Sequence, residues 1–290
     1  MPSPVQRLHS SLLTSRGVTL YVKREDLIHP IIGGNKWRKL KWNISSILAD
    51  RNKPVLSFGG AFSNHIYALA GAGVLFDFKT IGIIRGEEGK QLNPTLGYAK
   101  SVGMHLHYVC RKDYRDKTSL AFLEMLRNRF GDFHLIPEGG SNSLALPGCA
   151  DVITELDTQL QGAYDYVCLP CGTAGTLAGL ISSNTKKKFL AIAVLKGAGF
   201  LHKNVDQLLG VRRGSNWEIN LDYHFNGYAK RPTELMQFIT TFQQAYNIPL
   251  EPVYSGKMFY GLFDLIAKKY FPQGTIIVAL HTGGLQNETR

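Results

Sequence analysis

No stretch of this chain approaches the roughly 18 to 20 uninterrupted apolar residues that a membrane-spanning helix needs. Its first residues, MPSPVQRLHSSLLTSRG, lack the basic, then apolar, then small order of a signal peptide. The expectation is a cytoplasmic protein with no membrane partner. Cysteine is scarce: four in 290 residues, at positions 110, 149, 168 and 171, too few and too unevenly spaced for a disulfide scaffold. Cys168 and Cys171 do form a CxxC. A zinc site would need a second ligand pair at comparable spacing, and a thioredoxin-like site would need a helix starting inside the motif, whereas YVCLPCGTAGT reads as a strand entering a glycine loop. Packing is the expected role of these thiols, and no metal is expected. Acidic residues are also in deficit, 22 against 33 Lys and Arg, for a formal charge of +11. Such a field can serve nucleic acid. The basic runs, at 186–188, 212–213 and 230–231, are nevertheless short and separated by apolar and glycine-rich segments, so a solvated basic face that draws in small anions is the better reading.

The 44% of hydrophobic residues is enough to bury one large core or two medium ones. Short apolar runs alternate with helical patterns almost throughout, which is the signature of crossover units and a parallel sheet. VTLYVKRE, PVLSF, KTIGIIR, HLHYV, YVCLP, FLAIAVL and TIIVAL read as strands. Trp37, Leu40, Ile44 and Leu48, and then Leu120, Leu123, Leu126 and Phe130, recur at three to four residues and mark helix faces. Glycine-rich turns follow several strands: SFGGAFSNH, PEGGSNS, PCGTAGT and HTGG. Ligands of open parallel sheets sit beyond the carboxyl ends of the strands, so these loops should converge on one site.

In CGTAGTLAGL, Gly172 and Gly175 permit close backbone approach, and Thr173 and Thr176, on either side of Ala174, add hydroxyls. Free N–H groups and the helix dipole then make a seat for a single phosphate. No Walker lysine follows, and the spacing is not that of a dinucleotide fingerprint. In SFGGAFSNH, Ser63 and Asn64 stand at a helix start, where they can cap it or hold a carboxylate; His65 beside them reads as structural. The stretch GGNKWRKLKW, residues 33–42, places Asn35 as a helix cap and Lys36 in the first turn, where the dipole disfavours a cation. Lys36 is either part of an ordinary basic turn, as Lys39 and Lys41 would allow, or a Schiff-base lysine whose pKa must fall before it can attack a carbonyl.

Taken together, VKREDL, GGNKWRKL, GGAFSNH, CGTAGTLAG, EPVYSGKMFYGL and HTGG, in that order from about residue 20 to the end, resemble the pyridoxal-phosphate enzymes of the D-cysteine desulfhydrase and 1-aminocyclopropane-1-carboxylate deaminase family. The resemblance implies a two-domain α/β fold of the tryptophan-synthase-beta type, with mostly parallel sheets and flanking helices. A larger cofactor domain would span 1–42 and 148–290, and a smaller domain 43–147. It further implies that Lys36 carries pyridoxal 5'-phosphate and that Asn64 contacts the ring oxygen. Ser63 would face the substrate, and Gly172, Thr173, Ala174, Gly175 and Thr176 would hold the phosphate. Tyr254 and Tyr228 would flank the substrate, Tyr228 having a surface aromatic as its other reading. Ser255 and Thr282 stand where ring-opening relatives carry Glu and Leu, which matches the desulfhydrase type. The implied enzyme is a homodimer that eliminates the β substituent of a small amino acid, giving pyruvate, ammonia and sulfide from D-cysteine; the alternative is deamination of the cyclopropane amino acid to 2-oxobutanoate. A nucleic-acid-binding module, resting on charge and glycine loops alone, is the competing class.

Overall fold

A computed structural model describes residues 2–210 and 214–285; the basic pair at 212–213 lies outside them. The strands are β1 (Val5–Leu8), β2 (Thr19–Lys23), β3 (Val55–Gly60), β4 (Thr80–Arg85), β5 (His105–Val109), β6 (His134–Ile136), β7 (Tyr166–Cys171), β8 (Lys188–Ala193), β9 (Trp217–Asn220) and β10 (Ile276–Leu280). The α-helices are α1 (Ser11–Arg16), α2 (Asn35–Leu48), α3 (Asn64–Leu75), α4 (Pro94–Ser101), α5 (Leu120–Phe130), α6 (Ala145–Gln159), α7 (Gly175–Ser182), α8 (Phe200–Leu209), α9 (Thr233–Tyr246) and α10 (Ser255–Ala267). None of the described helices is long and apolar enough to cross a membrane.

Two sheets organise these elements. The larger has the order β1-β2-β10-β7-β8-β9 and the smaller β5-β4-β3-β6. Every pairing is parallel except β1 with β2, as the alternation of strands and helices requires. Successive residues of a strand face opposite sides, and the central strands are apolar on both. Cys168, Leu190, Ile192, Ile277 and Ala279 pack under α9 and α10, while Val167, Leu169, Ala191, Val278 and Leu280 pack under α6, α7 and α8. In the smaller sheet Val55 and Ile84 meet α2, α3 and α4, and Leu56, Phe58 and Ile83 meet α5. The CxxC follows the same rule: Cys168 lies in the first of these cores and Cys171 in the second. On opposite faces of one strand they cannot pair, and both are free.

Strand order decides where the loops meet. β10 lies between β2 and β7, so the carboxyl ends of three neighbouring strands deliver the turn before α2, the turn before α7 and residues 281–284 to one place. The loops after β3 and β6, neighbours in the smaller sheet, reach the same place from the other side.

Candidate active site

The start of α2 is held by its glycines. Gly34 has φ +63, and a Cβ there would lie 1.8 Å from the Thr282 carbonyl oxygen, so only glycine lets the C-terminal loop lie against the helix. Asn35 does not cap α2 as its sequence position promises. The cap position is Gly34, without a side-chain bond, and Asn35 is the first helical residue. Its side chain links the starts of α2 and α7 instead: Nδ2 donates to Thr176 Oγ1 at 3.0 Å, and Oδ1 accepts from Lys36 Nζ at 3.0 Å. Its backbone N–H donates to Thr282 O at 3.3 Å.

Lys36 therefore sits where the β2, β7 and β10 loops join, on the wall of a cavity of about 410 Å³ lined also by Asn64, Tyr67, Tyr98, Thr282 and Gly283. That volume falls in the roughly 300–1,000 Å³ range of small-molecule sites. Burial, reinforced by the Lys39 ammonium, lowers the Lys36 pKa from 10.5 to about 7. Half of the side chains are then free amines at neutral pH, the form that attacks a carbonyl. Aldehyde capture by the apoprotein should accordingly rise with pH up to about 7 to 8 and then level off, whereas an ordinary lysine would keep gaining about tenfold per unit towards 10. Stopped-flow absorbance across that range checks it. The same shift makes this group's contribution to stability rise with pH between about 7 and 10.5, the window in which the unfolded chain binds the extra proton.

Lys39, one turn further along α2, was not singled out by the sequence. It is 2% exposed; Nζ donates to Gly139 O and Ser141 Oγ, both at 3.0 Å, and to Thr173 Oγ1 at 3.3 Å. Burial lowers its pKa, and among the described residues no carboxylate pairs with it. A buried cation with only neutral partners, set against the N-terminus of α7 beside Thr173, Thr176 and Ser141, is an arrangement that can seat an anion. That terminus has no side-chain cap, and its Ala174 stands at φ +63. A Cβ at Gly175 would meet Ser141 Oγ at 2.4 Å and Lys39 Nζ at 3.0 Å. A larger residue there would therefore displace the Ser141 and Lys39 side chains themselves.

Tyr254 and Tyr228 do not line the cavity of Lys36; they pair with each other. Tyr254 Oη donates to Tyr228 Oη at 3.2 Å, with the rings nearly perpendicular at 5.7 Å, and a Cβ at Gly172 would touch the Tyr254 ring at 3.0 Å. Burial raises both phenol pKa values, so both hold their protons. Tyr228 is thus paired, although 36% exposed. Asn64 lines the cavity and lies against Gly284, whose Cβ would meet Nδ2 at 2.5 Å. Ser63 is the N-cap of α3, accepting from Ile66 N at 3.3 Å, and does not line the cavity of Lys36. His65, bonded through Nε2 to Ser57 Oγ at 2.8 Å, is held neutral by burial and the two lysines. Ser255 is fully buried at the start of α10. Its Oγ accepts from Glu251 N at 2.9 Å and lies 3.2 Å from Glu251 Oε1. Glu251, also missed by the sequence reading, accepts the N–H groups of Val253, Tyr254 and Ser255, yet burial outweighs these bonds and raises its pKa to about 7.

A larger cleft of about 550 Å³ lies beside the amino ends of β7, β8 and β10, lined by Tyr164, Lys187 and Thr275. Lys187 is committed there to the Gly162 and Tyr164 carbonyls, and none of the glycine loops reaches it.

The chain is 29% identical to the bifunctional D-cysteine desulfhydrase/1-aminocyclopropane-1-carboxylate deaminase of Arabidopsis thaliana, over 98% of this chain and 77% of that protein. It is 28% identical to the D-cysteine desulfhydrase of Serratia proteamaculans, over 97% and 91%. It superposes with a TM-score of 0.84 on the crystal structure of an ACC deaminase homologue, at 29% identity, covering 99% of this chain and 90% of that one. The family model for pyridoxal-phosphate dependent enzymes matches residues 2–283, and the chain belongs to that family.

Proposed function

We propose that the chain is a lyase that eliminates the β substituent of a small amino acid, D-cysteine first, giving pyruvate, ammonia and hydrogen sulfide with the uptake of one water. The observation that carries this reading is Lys36, a lysine with its pKa brought down to about 7 on the wall of a cavity that it shares with Asn64, Thr282 and Gly283. The residues present fit the cofactor. Lys39, Ser141, Thr173 and Thr176 would hold its phosphate, Lys36 its aldehyde carbon and Asn64 its ring oxygen. When bound, the cofactor supplies an electron sink for the pair left by the departing α proton. As a free amine, with its pKa near 7, Lys36 would be a base suited to take that proton near neutrality. Tyr228 and Tyr254, both protonated, offer hydroxyls to the substrate side. The two sheets support a division into a larger domain, 1–42 and 148–290, and a smaller one, 43–147; a homodimer belongs to the same reading.

The deaminase alternative turns on Ser255 and Thr282. A carboxylate against the pyridine nitrogen would keep it protonated and the ring a strong sink, as opening a cyclopropane without an α proton demands. Ser255 offers a hydroxyl, which suffices where a thiolate leaves. Hydrogen bonds to charged groups are worth roughly 1.5–3 kcal/mol, or about ten- to a hundredfold in rate. Ser255→Glu with Thr282→Leu should shift the ratio of activities towards the cyclopropane substrate by about that factor. The test of the function itself is the purified wild type, assayed for sulfide and pyruvate from D-cysteine and for 2-oxobutanoate from 1-aminocyclopropane-1-carboxylate. Faster 2-oxobutanoate production replaces the first reading with the second.

A further inference from the structure

We propose that Lys257 is a positioning residue whose ammonium acts as a built-in cation, fixing the loop that carries Tyr228 against the active site, and that removal of its side chain leaves a cage for an external monovalent cation. The proposal rests on the function above in taking Tyr228 as the substrate-side hydroxyl.

Lys257 is the third residue of α10 and is fully buried. Its Nζ donates to three carbonyl oxygens of one short loop, His224 at 3.0 Å, Gly227 at 2.6 Å and Tyr228 at 3.0 Å, with Val194 O at 3.4 Å as a fourth. An ammonium has three protons, and the loop provides three close acceptors. Among the described residues no carboxylate lies within ion-pair distance of it. A buried charge is ordinarily paired with an opposite one. This one is solvated by carbonyl dipoles, which is how proteins coordinate potassium-sized ions.

The loop is shaped for that role. Phe225, Asn226 and Gly227 have consecutive positive φ values of 51, 62 and 142, a run that L residues adopt only when the surroundings impose it. The result is that the 224, 227 and 228 carbonyls point at one spot, where without a cation they would repel. Val194 directly follows β8, so the ammonium also ties the loop to the larger sheet. Tyr254 immediately precedes α10, three residues before Lys257. One helical turn therefore sets both tyrosines: Tyr254 through its own backbone, and Tyr228 through the cation that grips its carbonyl. Burial brings the Lys257 pKa down to about 8, against the upward pull of Glu251, which leaves the ammonium the main form at neutral pH.

The test uses holoenzyme in choline chloride, potassium chloride or ammonium chloride at matched ionic strength. Wild type should be indifferent to the salt. Lys257→Met, which fills the space without donors, should lose about a hundredfold in kcat, the cost of a misplacement of ~1 Å near reacting groups. Adding Tyr228→Phe to it should cost nothing more, since the hydroxyl is already out of place. Lys257→Ala should melt higher, and recover kcat, in potassium or ammonium relative to choline. Wild-type kcat in Lys257→Met, full additivity with Tyr228→Phe, or identical melting and kcat of Lys257→Ala in all three salts each overturn the proposal. A Lys257→Ala chain that folds in none of the salts leaves the decision to the methionine variant and its double mutant. A wild type inactive on both amino acids would count against the function and not the cage, which the melting comparison reads without turnover.

Discussion

Replacing Lys36 with alanine is expected to abolish measurable turnover while leaving the fold in place. Losing a positioned base alone costs about a hundred- to ten-thousandfold, and losing the covalent hold on the cofactor adds to it. The fold should survive because the bridge between α2 and α7 runs through Asn35 Nδ2 and Thr176, not through Lys36. Alanine is also the better helix former, and a partly desolvated amine is removed. The check is kcat/KM beside a melting curve: activity gone and the midpoint of the apoprotein unchanged or slightly raised. A variant that turns over within tenfold of wild type would remove Lys36 from the chemistry.

The largest stability effect is expected at Arg38. Its guanidinium binds Glu25 through Nε at 2.7 Å and Nη2 at 2.8 Å, and Glu155 through Nη1 at 2.6 Å and Nη2 at 2.8 Å, while Lys23 reaches Glu155 at 2.7 Å. Arg38, Glu25 and Lys23 are almost wholly buried and Glu155 is partly so. Removing one member of such a group leaves the others uncompensated, at a cost of about 3–5 kcal/mol. Arg38→Met should therefore lower the melting midpoint by on the order of 10 °C; a fall of a degree or two would show that the network is not holding α2 to β2 and α6. pH acts in the same sense. Burial pushes the Glu155 pKa up, but Arg38 and Lys23 outweigh it and the net shift is downward. Its contribution is thus present above the ordinary carboxylate pKa of 4.5 and lost as pH falls below it. The network ties the turn carrying Lys36 to the larger sheet.

Seven of the ten strands among the described residues were legible as apolar runs because they are long or lie within a sheet. The three that were not, Val5–Leu8, His134–Ile136 and Trp217–Asn220, are strands of three or four residues at sheet edges, where one side has no neighbour and the pattern carries less apolar weight. The glycine loops were readable as a set, since a parallel sheet leaves few places for them to meet. Lys39 was not. One lysine among several in WRKLKW acquires meaning only when Ser141 and Thr173, more than a hundred residues away, close on it; its spacing of three from Lys36, which puts both on one helix face, was the available signal. Asn35 was misread as a cap because the local rule favours Asn there, whereas Gly34, pressed on the Thr282 carbonyl, takes that position. Glu251 and Lys257 sit in EPVYSGK beside residues that were singled out, but their significance lies in burial, which sequence pattern does not report for single charged residues.

The central claim is that the loops converge so that one lysine, Lys36, carries the cofactor. Borohydride reduction of the holoenzyme followed by peptide mass spectrometry tests it most directly. The account predicts bleaching of the yellow colour and a pyridoxyl adduct on Lys36 alone; an adduct on Lys39, Lys41 or Lys257, or none on any lysine, would contradict it.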